Sequence, residues 1–139
     1  MLIPKKVKHR KWQKGRSKGR LVESRGLLLN YGQYGLKATE AAWLTSQQIE
    51  AARRTVTHFL KRQGRLWIRV FPDKPITKRP PETTMGGGKG SVDHYVFPVR
   101  PGRIILEVDG VAEATAREAL RRAGYKLPFK SRVIGKSDK

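Results

Sequence analysis

Thr45-Ser46-Gln47-Gln48-Ile49-Glu50-Ala51-Ala52-Arg53-Arg54-Thr55-Val56-Thr57-His58-Phe59-Leu60-Lys61-Arg62-Gln63-Gly64 is the stretch on which the fold turns. Thr45 and Gln48 stand at capping-box spacing, so each supplies what the other's backbone lacks at a helix start. Ile49, Ala52, Val56, Phe59 and Leu60 then recur at the helical period until Gln63-Gly64 ends the pattern. The spacing predicts an amphipathic helix with one face in the core. Leu66, Ile68 and Val70 next alternate with Trp67, Arg69 and Phe71, which predicts a strand, and Pro72 stops it. A capped helix running into an alternating strand points to an α+β fold.

Downstream, residues 72–93 carry Pro75, Pro80, Pro81 and then Gly86-Gly87-Gly88-Lys89-Gly90, with no helical or strand pattern. A loop of that length in a small domain is normally functional or disordered. Proline stiffens its first half and glycine frees its second, which suits a finger reaching away from the core. Residues 95–99 and 103–109 read as strands joined into a hairpin by Arg100-Pro101-Gly102. Ala112, Ala116, Ala119, Leu120 and Ala123 define a second helix closing at Gly124, on which Glu113 meets Arg117 and Glu118 meets Arg121 and Arg122. Residues 129–134 form a last short strand.

Upstream, Leu27, Leu28, Leu29, Tyr31, Tyr34 and Leu36 look strand-like, with Gly32 and Gly35 marking a bulge or a close backbone approach. The expected organisation is therefore a basic extended arm (1–25), one α+β domain (26–135) of mixed or antiparallel strands and two helices, its loop at 72–93, and a frayed end (136–139). No internal repeat is present.

Charge is distributed unevenly over this frame. The chain of 139 residues has 31 Lys and Arg against 11 Asp and Glu, a formal net charge of +20. Self-repulsion at this density destabilises a compact domain, so a polyanion such as RNA or DNA is the expected partner. The arm alone holds ten basic residues and one acid. Its Trp12 either stacks on a base or folds back over the domain edge. On the first helix, Arg54, His58, Lys61 and Arg62 gather opposite the apolar stripe and Arg53 falls on its margin. Solvated faces usually mix signs, and Glu50 is the single acid here, so the face reads as ligand-facing.

Several classes are excluded or disfavoured. Without cysteine there is neither a disulfide nor a thiolate metal site. No run of about 18 apolar residues exists to span a membrane. The basic start lacks the apolar segment of a secretory signal, and its charges form no amphipathic stripe, so a cytoplasmic protein is expected, with an organelle as the second reading. Lys89 is followed by Gly90 and Ser91 occupies a position where glycine is needed, so neither a phosphate-loop nor a dinucleotide fingerprint is satisfied. His9, His58 and His94 lie apart with no nearby carboxylate or nucleophile in a recognisable motif, and Asp73 and Asp109 flank turns. No catalytic residue, metal or cofactor is expected, and the chain does not read as an enzyme.

Blocks along almost the whole chain resemble one family. Met1-Leu2 with Pro4-Lys5, Arg10-Lys11, Lys14-Gly15-Arg16, Gln48 to Arg54, Arg69-Val70-Phe71-Pro72-Asp73-Lys74-Pro75, Met85-Gly86, Gly88-Lys89-Gly90, Pro101-Gly102 and Lys126-Leu127-Pro128 look like the bacterial large-subunit ribosomal protein L-sixteen, in the family's order. The resemblance implies a hammerhead-type α+β domain, shared with the archaeal and eukaryotic counterpart. It also implies binding to large-subunit ribosomal RNA beside the aminoacyl-tRNA site, support of tRNA placement near the peptidyl transferase centre, and late subunit assembly. Carried over, the RNA-contact candidates are Lys5, Lys6, Lys8, Arg10, Lys11, Lys14, Arg16, Lys18 and Arg20 in the arm and Arg53, Arg54, His58, Lys61 and Arg62 on the helix. Lys78, Arg79, Thr84, Met85, Gly86, Gly87, Gly88 and Lys89 become the loop nearest tRNA. The implied partners are ribosomal RNA, aminoacyl-site tRNA and neighbouring subunit proteins, with no membrane and no homo-oligomer. The family usually has a second lysine where Gly87 stands, and often an arginine, hydroxylated in some bacteria, where Thr84 stands. Residues 19–30 follow it loosely.

Two rival readings share the charge. A general nucleoid or RNA-chaperone-like protein lacks a helix-turn-helix spacing or dimer heptad to support it here. An RNA-cleaving enzyme lacks a readable acid/base pair.

Overall fold

The computed structural model describes residues 2–12, 22–79, 86 and 88–138. Within them the chain forms β1 (Tyr34–Ala38), β2 (Ala42–Thr45), α1 (Ser46–Phe59), β3 (Arg65–Ile68), β4 (Lys74–Lys78), β5 (Ser91–Val99), β6 (Ile104–Asp109), α2 (Glu113–Gly124) and β7 (Ser131–Gly135). The strands make two antiparallel sheets, one ordered β3-β6-β1-β7 and the other β2-β5-β4. The α+β expectation holds, and so does the first helix with its cap: Thr45 Oγ1 accepts from the Gln48 N–H at 3.2 Å while Gln48 Oε1 accepts from the Thr45 N–H at 3.0 Å.

The two helices lie side by side on one face of the four-stranded sheet. Ala116, Ala119 and Ala123 let α2 come close, and Leu36, Ile49, Val56, Leu106, Val108 and Leu120 fill the space between the layers. Each of these side chains is at most 1% exposed, so truncating any one of them empties a closed site rather than a wet margin.

Three sequence expectations are corrected. The stretch 27–33 is not strand; β1 begins at Tyr34. Residues 22–33 instead form a strap held to the sheet by main-chain bonds, such as Ile104 N–H to the Gly26 carbonyl at 2.8 Å and Gln33 N–H to the Val108 carbonyl at 3.1 Å. The glycines explain the close fit: a Cβ on Gly32 would sit 2.6 Å from the Val108 carbonyl oxygen and one on Gly35 would sit 2.3 Å from Leu29 Cδ2. Second, the turn at Arg100-Pro101-Gly102 does not close a hairpin. β5 pairs with β2 and β4, whereas β6 pairs with β1 and β3, so this turn carries the chain from one sheet to the other. Third, the proline-rich segment contains β4, with Pro75 paired opposite Tyr95. β4 is an edge strand, where a missing N–H is tolerated.

A buried ion pair fastens the strap. Glu107, fully buried on β6, accepts from the N–H groups of Asn30, Tyr31 and Gly32 at 2.9, 3.0 and 3.0 Å through Oε1 and binds the Arg69 guanidinium through Oε2. Burial pushes its carboxyl up, but the Gly32 N–H, the Arg69 guanidinium and the Tyr31 N–H outweigh burial and hold it below the ordinary 4.5. Glu50 is lowered to about 2, by Arg53 first and then Arg54, and Glu118 to about 2 by Arg121 and then Arg122. A carboxyl that titrates lower in the folded than in the unfolded chain stabilises the fold above its unfolded value, and this stabilisation fades as pH falls toward the folded value. Thermal midpoints are therefore expected to stay level above about pH 5 and to fall progressively below 4.5, the unfolded reference from which Glu107 is lowered. A midpoint that rises on acidification would contradict these assignments.

Candidate nucleic-acid interface

Helix geometry alone delivers a cationic face. With Ile49, Ala52 and Val56 buried, Arg54 and His58 are turned outward and Arg53 is half-buried at the margin. The acid on this face is committed: Glu50 binds the Arg53 guanidinium and also takes Arg54 Nε at 3.2 Å. Arg54 therefore reaches a polyanion partly neutralised. Beyond the helix end, Lys61 and Arg62 are exposed and neither meets an acid among the described residues.

Lys61 and Arg62 also occupy left-handed backbone, with φ of 51° and 65°. A helix end of this shape usually takes glycine, because a Cβ disfavours the conformation by about 1–2 kcal/mol per residue. The chain keeps two cations there instead, beside helix carbonyls whose partial charge favours them. Arg62→Gly is expected to raise the stability of the free protein by about 0.5–1 kcal/mol, the relief of strain less the extra chain entropy of glycine. The same change is expected to weaken RNA binding. Chemical denaturation and a binding titration read the two signs separately, and a loss of both properties would contradict the assignment.

The described arm cations Lys5, Lys6, Lys8, Arg10 and Lys11 are all exposed. Leu2 packs against the core, so the start of the arm is anchored while its charges face solvent. Trp12 takes neither limiting role cleanly: it is 40% exposed and shares a shallow pocket with Pro4, Val7, Phe71 and Asp73. Its carbonyl accepts from Lys89 Nζ, and Lys11 Nζ in turn donates to the Lys89 carbonyl at 3.1 Å. The arm thus meets the base of the β4–β5 loop, a contact between two segments that neither spacing nor composition links.

Lys78, the last residue of β4, and Lys89 in the loop are exposed, and Arg79 is partly covered. Gly86 and Gly88 have φ of 93° and 90°, and a Cβ on either would meet nothing within 4 Å among the described atoms. Lys14, Arg16, Lys18, Arg20, Thr84, Met85 and Gly87 lie outside the described residues.

The second helix behaves as an ordinary solvated surface, as its spacing predicts. Arg117 bonds Glu113 at 3.0 Å, while Glu118 receives Arg121 at 2.6 Å and Arg122 at 3.0 Å. One histidine expectation needs amending, since His94 Nδ1 lies 2.7 Å from Asp93 Oδ2. Both side chains are nearly half exposed and adjacent in sequence, which makes this a local pair rather than an assembled site. No cluster of His, Cys, Asp or Glu that could hold a metal occurs among the described residues, and none of the helices there is long and apolar enough to cross a membrane.

The α+β domain thus joins a cationic helix end to a basic arm. The family described as Ribosomal protein L16p/L10e matches residues 4–134 of the 139. The chain belongs to that family. L16p/L10e proteins are constituents of the large ribosomal subunit that act in translation and bind ribosomal RNA, and the family is typically structural rather than catalytic. For an L16p/L10e chain, the net charge and the exposed lysines and arginines have their expected counterpart in RNA phosphate.

Sequence reasoning missed two features of this L16p/L10e domain. The left-handed backbone at Lys61 and Arg62 has no composition signal, because glycine stands two residues later. Glu107 did leave a signal: it is the one acid within Ile104-Ile105-Leu106-Glu107-Val108, an otherwise apolar strand segment.

Proposed function

We propose that this protein binds large-subunit ribosomal RNA next to the aminoacyl-tRNA site and supports tRNA placement near the peptidyl transferase centre and late subunit assembly. The arm and the end of α1 neutralise phosphates, with Lys61 and Arg62 as the strongest contacts. Phosphate contacts give affinity without reading sequence, so the shape of the folded RNA supplies specificity. The end of β4 at Lys78 and the β4–β5 loop from Arg79 to Lys89 buttress the RNA that positions tRNA. The observation that carries this reading is the pair of exposed cations held in left-handed backbone at the α1 end, without an acid partner among the described residues.

The test is sedimentation of a native lysate through a high-salt sucrose gradient, following this protein by mass spectrometry. Retention on the large subunit is the expected result. Release to the top of the gradient with free RNA-binding proteins would reduce the charge to a general polyanion affinity.

A further inference from the structure

The outer face of the four-stranded sheet carries an aromatic pair, Tyr31 exposed and Trp67 partly covered. Arg65, Trp67 and Arg69 alternate onto this face, since the intervening Leu66 and Ile68 pack against the core. Across it, the strap lays the Tyr31 ring against Trp67, with centroids 6.0 Å apart and planes 21° from parallel. Tyr31 is 57% exposed, an unusual state for a large ring whose backbone N–H is fixed by the buried Glu107. The Arg69 guanidinium lies 5.2 Å from the Tyr31 ring centroid, on a side chain itself bound by Glu107. The ring is therefore positioned in advance, at an edge strand of the sheet.

Beside it opens a pocket of about 490 Å³ lined by Tyr31, Gly64, Arg65, Trp67, Asp109 and Gly110. Arg65 stands opposite Asp109 in the ladder, yet the two form no ion pair. Asp109 uses Oδ1 to accept the Gly110 N–H at 2.8 Å, which leaves its second oxygen as an acceptor. A patch meant for phosphate alone would not include a carboxylate. An aromatic surface, a hydrogen-bond acceptor and a cation together match the three parts of a nucleotide: the base face, its amino or imino edge, and the phosphate.

We propose that Tyr31 and Trp67 form a stacking platform for one unpaired nucleobase of RNA, with Asp109 accepting from the base edge and Arg65 meeting the adjoining phosphate. This rests on the ribosomal-RNA reading above and adds to the phosphate contacts a site that reads a base. Its orientation follows from charge: the carboxylate repels phosphate, so the base enters the pocket and the backbone runs along the Arg65 side.

The experiment uses the full chain bound to large-subunit RNA. Tyr31→Ala is expected to weaken binding roughly 5- to 150-fold, the range found for loss of one base–aromatic stack, with the salt dependence unchanged. Tyr31→Phe, which keeps the ring, is expected to restore it. Ultraviolet cross-linking of the wild-type particle, read by mass spectrometry, is expected to place a nucleotide on Tyr31 or Trp67, and this readout does not depend on a variant that folds. Unchanged affinity of a folded Tyr31→Ala protein, or cross-links from these rings to a neighbouring protein instead of a nucleotide, would overturn the platform. Failure of the wild-type chain to bind the RNA at all would instead remove the parent reading, so the two failures are distinguishable.

Discussion

Glu107→Ala is expected to destabilise the domain by about 3–5 kcal/mol, the usual consequence of removing one partner from a buried ion pair. For a domain of this size that is a large fraction of the total stability, and much of the population should lose its fold at moderate temperature. The reason is local and specific. The substitution leaves the Arg69 guanidinium without its carboxylate and deprives the N–H groups of Asn30, Tyr31 and Gly32 of their shared acceptor. Glu107→Gln keeps an acceptor oxygen but loses the charge, so it should fall between wild type and alanine. It should also flatten the part of the acid-induced loss of stability that Glu107 provides. Chemical denaturation of the three proteins at neutral pH and at pH 4 separates these contributions. Equal stability of alanine variant and wild type would mean that the strap is held by other contacts.

The second large effect concerns affinity. Replacing Lys5, Lys6, Lys8, Arg10 and Lys11 together by Gln should leave the fold intact, because all five side chains are exposed. If each cation releases counterions from RNA, the slope of log affinity against log salt should shrink by roughly 3.5, at about 0.7 per phosphate for single-stranded contacts. Measured at low salt, this should be a loss of several orders of magnitude in binding to large-subunit RNA. Arg54→Gln should change the slope less than Arg62→Gln does, because Glu50 already neutralises part of Arg54. A slope unaltered by the arm substitutions would assign the arm to another partner.

These two predictions draw on different levels of legibility. The arm cations, the capped helix and its outward charges follow from spacing, since composition and the 3.6 period are local properties that tertiary structure had no cause to override. The alternation at Leu66 and Ile68 likewise marked a strand that the structure contains as β3, although β3 ends at Ile68, before Val70 and Pro72. What the sequence concealed is non-local. Nothing in Arg100-Pro101-Gly102 says whether the strands on either side pair with each other or with distant partners, and here they enter different sheets. Leu27 to Tyr31 has the composition of a strand, yet it crosses the sheet as a strap because Glu107, from 76 residues away along the chain, takes up the Tyr31 N–H. Pro75 likewise argued against a strand until β4 proved to lie at an edge.

The candidate site divides in the same way. Arg54 and His58 were legible as the outward side of α1 and Arg53 as its margin, but Lys61 and Arg62, which spacing puts on the same helix face, lie beyond the helix end, and the inequality of the five was not legible. It arises from Glu50 occupying two of the arginines and from the backbone turning left-handed at the last two cations. The pairing of Tyr31 with Trp67 required two segments 36 residues apart to meet.

In the function proposed above, the α1 end and the arm face ribosomal RNA inside the large subunit. Electron cryo-microscopy of large subunits carrying this chain tests it most directly. Lys61 and Arg62 are expected within hydrogen-bond distance of RNA phosphates, with the arm threaded between RNA helices and the β4–β5 loop directed toward the aminoacyl-tRNA site. A particle in which the α1 end faces solvent or a protein neighbour, with RNA held against α2 instead, would contradict it.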